Sequence, residues 1–218
     1  MRDITTDESI DDVLERVAVE SGDVPRAPDQ GAIPVGGRIH SIRAERGMSL
    51  QQLAEKTGFS AAVLSQVENR MTSPPLGMLV KIANVFDTSV SALIGGREEA
   101  AFSIVRKADR RTVSRVELKG GEKAEYSYEA LGTGKAGHRM EPFLVTLSPI
   151  SDANVPRSVH DGEEFLFVLS GRVEIFLGDY ADVLEEGDCI YYNSTTPHHV
   201  HSAGDSEAKL LAVINQGK

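Results

Sequence analysis

A single cysteine in 218 residues, Cys189, excludes an intramolecular disulfide framework. No apolar run approaches the roughly 20 residues that a membrane-spanning helix needs, and the acidic N-terminus has no apolar core of a secretory leader. These absences predict a protein of the reducing cytoplasm with no membrane partner. Positive charge is scarce as well: 23 Lys and Arg stand against 33 Asp and Glu, a formal net charge of -10. Taken as an average, that argues against a nucleic-acid partner, because phosphate binding needs local positive potential. The deficit is uneven, however. Residues 1–34 hold three basic and nine acidic residues, 35–94 six and four, and 95–218 fourteen and twenty, giving -6, +2 and -6. Only the middle segment is positive, and weak positivity suits a module that binds DNA as a dimer.

Three segments follow from the pattern. Residues 1–34 form an acidic tail in which Ile10, Val13, Leu14 and Val17 recur at helical spacing behind Ser9, compatible with one short amphipathic helix. Residues 35–95 read as five short helices. Ile39 and Ile42 mark the first, which Gly47 ends; Ser49 caps a second with Leu50, Leu53 and Ala54; Ser60 caps a third with Val63, Leu64 and Val67. Pro74-Pro75 opens a fourth with Leu76, Leu79, Ile82 and Phe86, and Ser89 begins a fifth that stops at Gly95-Gly96. Residues 96–218 lose the helical period. Runs at 102–106, 112–118, 124–131, 142–147, 164–169, 172–177, 189–192 and 209–213 are β-branched or aromatic-rich and are separated by turn residues, which predicts an antiparallel sandwich or barrel. The fold class expected is therefore α+β multidomain, five helices followed by an antiparallel β-barrel.

Within the helical segment, Leu50 to Asn69 fits a helix, a tight turn at Gly58 and a second helix. Ala54 is small enough for the two helices to approach, while Leu53, Val63 and Val67 set their crossing. Ala61, Ala62, Ser65 and Gln66 remain at the start of the second helix. In a major groove, Gln66 can pair bidentately with adenine and the alanines can meet thymine methyls. Arg43, Arg46, Gln51, Ser60, Asn69 and Arg70 are placed to contact phosphates. From Arg38 to Ser49, and through Ser65-Gln-Val-Glu-Asn69 to Leu93, the segment resembles the lambda-repressor-like helix-turn-helix of the XRE family. That resemblance implies a double-stranded DNA operator and a homodimer or higher homo-oligomer.

In the second half, His160 is followed four residues later by Glu164, which leads into an apolar run ending at Gly171. Positions i and i+4 of an extended segment face the same way, so both side chains can enter one barrel. Pro197-His198-His199-Val-His201 supplies further imidazoles, one of which can complete a two-histidine, one-carboxylate face for Fe, Mn, Zn or Ni. The same groups serve equally as polar pocket residues for an organic ligand. These stretches resemble the paired motifs of the cupin superfamily over about 142–214, with its glycines at Gly171 and Gly187. The resemblance places the metal ligands on His160, Glu164 and His198. It also shows a departure, since Ser158 stands where the family has its first histidine. His199 and His201 are expected at a surface or dimer interface. Tyr126, Tyr128, His138 and Arg157 are candidates to line a ligand pocket, Arg157 as the counter-charge to a carboxylate or phosphonate.

A helix-turn-helix followed by a cupin is the arrangement of XRE-family regulators that sense small metabolites, which implies a transcriptional regulator with a small-molecule effector. The alternative is an enzyme: the iron-dependent hydroxypropylphosphonate epoxidases share the domain order and also lack the first cupin histidine. The lysine that those enzymes supply after their first helix corresponds here to Gly47.

Overall fold

Among the described residues, apolar residues at every third or fourth position, in runs opened by Ser or Pro, produce five α-helices: α1 (Val35–Glu45), α2 (Leu50–Thr57), α3 (Ala61–Glu68), α4 (Leu76–Val85) and α5 (Val90–Leu93). The structure, a computed structural model, describes residues 34–95, 102–117, 124–133, 135, 139–149 and 157–217. The expected helix around Ile10–Val17, the residue Gly96 and the pocket candidate His138 lie outside the described residues. Orphan N–H groups at the helix starts are met as the sequence predicts. Ser49 forms a capping box with Gln52, Ser60 accepts from Val63 N, and Ser89 accepts from Ala92 N. Helices α1 and α4 are the exceptions, because Pro34 and Pro75 offer no side-chain cap.

Leu53, Val63, Val67, Leu79, Ile82 and Phe86 are fully or almost fully buried and form the helical core. Helices α1 and α3 approach each other closely. A Cβ on Gly36 would lie 1.9 Å from the Val67 carbonyl oxygen, so only glycine fits there. Beside this crossing the Glu68 carboxylate is buried and held by a bidentate Arg43, through Nε at 2.6 Å and a terminal nitrogen at 2.7 Å, and by His40 Nδ1 at 2.8 Å. Arg43 also donates to the Met48 carbonyl at 2.8 Å. The residue expected on phosphate is thus committed to bracing α1 against α3.

The second half contains β1 (Thr112–Glu117), β2 (Ala124–Ala130), β3 (Met140–Leu147), β4 (Glu163–Ser170), β5 (Val173–Leu177), β6 (Tyr180–Leu184), β7 (Cys189–Asn193), β8 (His198–Ser202) and β9 (Ala208–Asn215). They form two antiparallel sheets, ordered β1-β2-β3-β9-β4-β7 and β6-β5-β8. Isolated bridges between Ser158 and His198 and between Pro149 and Ser202 connect them, and among the described residues no continuous ladder closes a ring. The expected strand at 102–106 forms no ladder among the described residues, and its alternate residues Phe102 and Ile104 are exposed. Conversely, β6 and β8 form where the sequence reading had no strand. Alternation then selects the buried face: Glu164, Leu166 and Val168 on β4 point inward.

The two units are docked. Tyr128 OH donates to Pro74 O at 2.9 Å, and Leu76 N donates to Tyr126 OH at 3.2 Å, so tyrosines of β2 cap α4 from outside its own chain segment. Ser91 of α5 donates through N and Oγ to the Glu141 carboxylate of β3, at 3.3 and 2.8 Å, with both residues 1% exposed. Gln216 donates to Asn84 Oδ1 at 3.3 Å.

The brace at Glu68 has a pH signature. Burial alone would raise this carboxyl, but the hydrogen bonds from Arg43 and then His40 hold it below its ordinary value of 4.5. A carboxyl whose folded value lies below its unfolded one contributes stability above about 4.5, lost as pH falls through the folded value. Glu68→Gln should cost about 2 kcal/mol near neutral pH by removing a charge-assisted pair. Urea unfolding of the full chain checks this: the difference from the parent shrinks towards zero as the pH is lowered below 4, and a pH-independent difference would contradict it.

Candidate functional site

Each ligand candidate is positioned by a different backbone device. Glu164 sits on the inner face of β4, directly opposite Tyr192 of β7. His160 precedes β4 across a turn at Gly162, whose φ is +100° and whose Cβ would lie 1.9 Å from Asn215 O, so no other residue fits the turn. The His160 backbone N–H donates to Ser194 O at 3.0 Å, and Ser194 N returns the contact to Gly162 O at 3.0 Å. His198 opens β8, where its peptide exchanges hydrogen bonds with Ser158 at 2.7 and 3.0 Å. Three separate stretches of chain therefore converge on one point between the sheets.

There, His160 Nε2 lies 2.8 Å from Glu164 Oε1, and His198 Nε2 lies 3.4 Å from the same oxygen. All three residues are buried, and their potential ligand atoms lie within 4.8 Å of one another. Both imidazoles spend Nδ1 on backbone carbonyls, His160 on Asp161 at 3.1 Å and His198 on Thr196 at 2.9 Å. A carbonyl only accepts, so each Nδ1 carries its proton; each Nε2 then offers a lone pair inward when the ring is neutral and donates to Glu164 when the ring is protonated. Two lone pairs facing a carboxylate need a cation between them, either a proton or a metal ion. This is the tautomer and orientation that a divalent metal requires of its ligands, and the donor set fits one.

The charges agree. Burial pushes the Glu164 carboxyl up, but hydrogen bonds from His160 and His198 outweigh it and leave the group well below the usual carboxylate range. Burial pushes His198 down, and the Glu164 hydrogen bond and charge reverse that. Tyr192 donates to Glu164 Oε2 at 2.6 Å. Its own burial, then the neighbouring carboxylate, raise the phenol well above its ordinary value, so it remains a donor. Tyr192 thereby fixes which carboxylate oxygen faces the histidines. Ser194 Oγ adds a contact at 3.5 Å to Oε1. Sequence reasoning missed both, because only the β4–β7 register brings Tyr192 beside Glu164.

The other candidates are engaged in other contacts. Tyr126 and Tyr128 are on the seam with α4, their hydroxyls on Leu76 and Pro74. Arg157 donates to the Gly178 carbonyl and stacks over Phe176, 5.9 Å from its centroid, away from the triad. His199 and His201 stack on each other 5.5 Å apart, on the face of β8 opposite to His198, with His201 3.0 Å from Glu174. Burial, then the positive neighbours His201, His198 and Arg157, push His199 down to about 3.

On the helical unit, Ala62, Gln51, Asn69, Arg70 and Arg46 are exposed, and Ala61, Ser65 and Gln66 are half-buried. Ser60 is the α3 cap, Asn69 Nδ2 donates to Ser65 O at 2.8 Å, and Arg46 lies 5.3 Å over the Phe86 ring. Arg70 follows α3 with φ +61°, a left-handed conformation that costs a non-glycine residue about 1 kcal/mol. The turn at the end of α3 thus lays the Arg70 guanidinium over Gly37 of α1 while the residue stays exposed.

Family models match both halves: a helix-turn-helix over residues 39–93 and a cupin domain over residues 143–214. The chain is 39% identical over 69 residues to the HTH-type transcriptional regulator SinR of Bacillus licheniformis, which covers 31% of this chain and 62% of that protein, less than two thirds of its length. It is 26% identical over 189 residues to the HTH-type transcriptional regulator PuuR of Escherichia coli, covering 86% of this chain and 95% of that protein. It is also 32% identical over 148 residues to the (S)-2-hydroxypropylphosphonic acid epoxidase of Streptomyces wedmorensis, covering 63% and 73%. The solved structure of an HTH_3 family transcriptional regulator from Vibrio cholerae shares the fold, with a TM-score of 0.60 and 23% identity over 84% of this chain and 95% of that one. The regulators match through the helix-turn-helix and, for PuuR, through both halves, while the epoxidase shares the same order of units. The chain therefore carries a helix-turn-helix domain of the XRE type followed by a cupin domain.

Proposed function

We propose that this chain is a DNA-binding transcriptional regulator of the cytoplasm, acting as a homodimer, whose cupin domain of residues 96–218 senses a small molecule. The observation that carries the reading is α3 itself: Ala61, Ala62, Ser65 and Gln66 are left accessible on a helix whose opposite face, Val63, Leu64 and Val67, is buried. The likeness to PuuR across both units supports it. Gln66, Ala61 and Ala62 read bases, and Arg46, Gln51, Ser60, Asn69 and Arg70 hold phosphates, with Arg43 bracing the helices that present them. One divalent cation, Fe, Mn, Zn or Ni, would be held by His160, Glu164 and His198. When bound, it supplies a Lewis-acidic position at which a metabolite can be gathered. Tyr192 holds the carboxylate, and the inward walls of Leu166 and Val168 exclude water.

The second reading is the metal-dependent enzyme, favoured by the 32% identity to the epoxidase and by the same triad. Turnover separates the two, because a sensor returns its ligand unchanged.

Selection from random duplexes with the full chain should enrich a pseudo-palindrome whose half-sites lie about one helical turn apart. Gln66→Ala should relax preference at one position per half-site by about 1 to 3 kcal/mol. Arg70→Gly should weaken binding to all duplexes while stabilising the fold by about 1 kcal/mol, since glycine accepts the positive φ. No enriched motif, with or without cell extract, would contradict the DNA-binding reading. For the metal, equilibrium dialysis with elemental analysis should show about tenfold weaker Zn(II) binding in Tyr192→Phe, and loss of binding in His160→Ala and His198→Ala. A parent that binds Zn(II) no better than these variants would refute the centre.

A further inference from the structure

The Ser158 side of the triad is closed by the other unit. A Cβ placed on Gly77, in the first turn of α4, would lie 2.2 Å from Ser158 Oγ, 3.6 Å from Ser158 Cβ and 3.3 Å from His160 Cδ2. Cδ2 is bonded to Nε2, the atom that His160 turns towards Glu164. We propose that the site is shared between the two units: Gly77 forms its wall beside Ser158 and His160, so that occupancy of the centre is felt by the helix-turn-helix through α4. The regulatory half of this proposal rests on the function proposed above.

Neither side of the contact can give way cheaply. His160 is anchored by its Nδ1 on Asp161 O and its backbone N–H on Ser194 O, and its side chain is 1% exposed. The start of α4 is anchored by Tyr126 at Leu76 N and by Tyr128 at Pro74 O, next to two prolines with restricted φ. Further along, Ser91 grips Glu141 and Asn84 receives Gln216. Two fixed bodies therefore meet so closely that a methyl group on Gly77 fits only if the Ser158 hydroxyl turns away and the His160 ring gives by a few tenths of an ångström, which makes Gly77 a positioning residue for His160. Helix α4 packs against α2, which in turn packs against α3, within one buried core that includes Leu79, Ile82, Phe86, Leu53 and Val63. A close-packed interior transmits displacement rather than absorbing it. A shift of His160 as it exchanges Glu164 for a bound ion then acts on the element that carries the recognition helix.

The contact also accounts for Ser158. Its peptide is laddered to His198, so its side chain borders the site where the cupin pattern has a histidine. An imidazole there would occupy the space of α4. Docking of the helices and the three-ligand centre are one solution to one packing problem.

Calorimetric Zn(II) titration of the full chain tests the wall. Gly77→Ala should lower Zn(II) affinity about tenfold, Ser158→Ala should leave it within about threefold, and Gly77→Ala with Ser158→Ala should recover most of the loss, because the closest clash is removed. Should Gly77→Ala not fold, Ser158→Thr crowds the same contact from the other side and must give the same loss. Parental Zn(II) affinity in folded Gly77→Ala or Ser158→Thr overturns the shared wall. The second readout is the ratio of affinities for the selected duplex with and without Zn(II), expected to be about fivefold or more in the parent. A parental ratio of that size that is unchanged in Gly77→Ala overturns transmission through α4. A parental ratio of one, with the Zn(II) pattern as expected, leaves the wall standing and refutes the regulatory reading instead.

Discussion

Glu164 is a carboxylate enclosed by protein, and a buried carboxylate is tolerable only if each lone pair is met. Everything around it is arranged to do so. Tyr192 takes one oxygen, while His160, His198 and Ser194 converge on the other. Those donors come from three stretches of chain, so satisfying one side chain fixes the β4–β7 register, the Gly162 turn and the placement of β8 against the segment that contains Ser158. The same demand explains why both histidines give Nδ1 to carbonyls. Their orientation is set from behind, and the metal-competent nitrogen is what remains.

Two other buried carboxylates play the corresponding part elsewhere. Glu68 pins α1 to α3 through Arg43 and His40, and Glu141 pins α5 to β3 through Ser91. In an acidic chain, one carboxylate thus organises the helical unit, one the seam and one the candidate centre. The arrangement has a functional corollary. Arg43 is committed to holding the helices together, which leaves Arg46 and Arg70 as the exposed arginines among the phosphate candidates.

Helices were legible because their signals are local: a Ser cap, then apolar residues three and four apart, repeated from Ser49 to Leu93. His160 and Glu164 were legible as a pair four residues apart, although the structure brings them together through the bend at Gly162 rather than through extended chain. What escaped was non-local. Tyr192 matters only because β7 lies opposite β4, and Tyr126 and Tyr128 matter because they reach a helix some 50 residues earlier. Gly77 reads locally as an ordinary residue in a helix start, and only the docked geometry shows what its missing side chain makes room for. The strand β8 was hidden by its own chemistry, because His198-His-Val-His201 reads as a cluster of site residues before it reads as alternation. The run at 102–106 shows the opposite error, strand composition without a described partner to pair with.

Binding linkage gives the account its most direct test. If occupancy of the triad and DNA binding are coupled through the docked helices, each must change the other by the same factor. Zn(II) affinity of the full-length protein, measured by calorimetry with and without a saturating selected duplex, is predicted to differ by the factor by which Zn(II) changes the affinity for that duplex. Equal Zn(II) affinities in the two titrations would contradict the account.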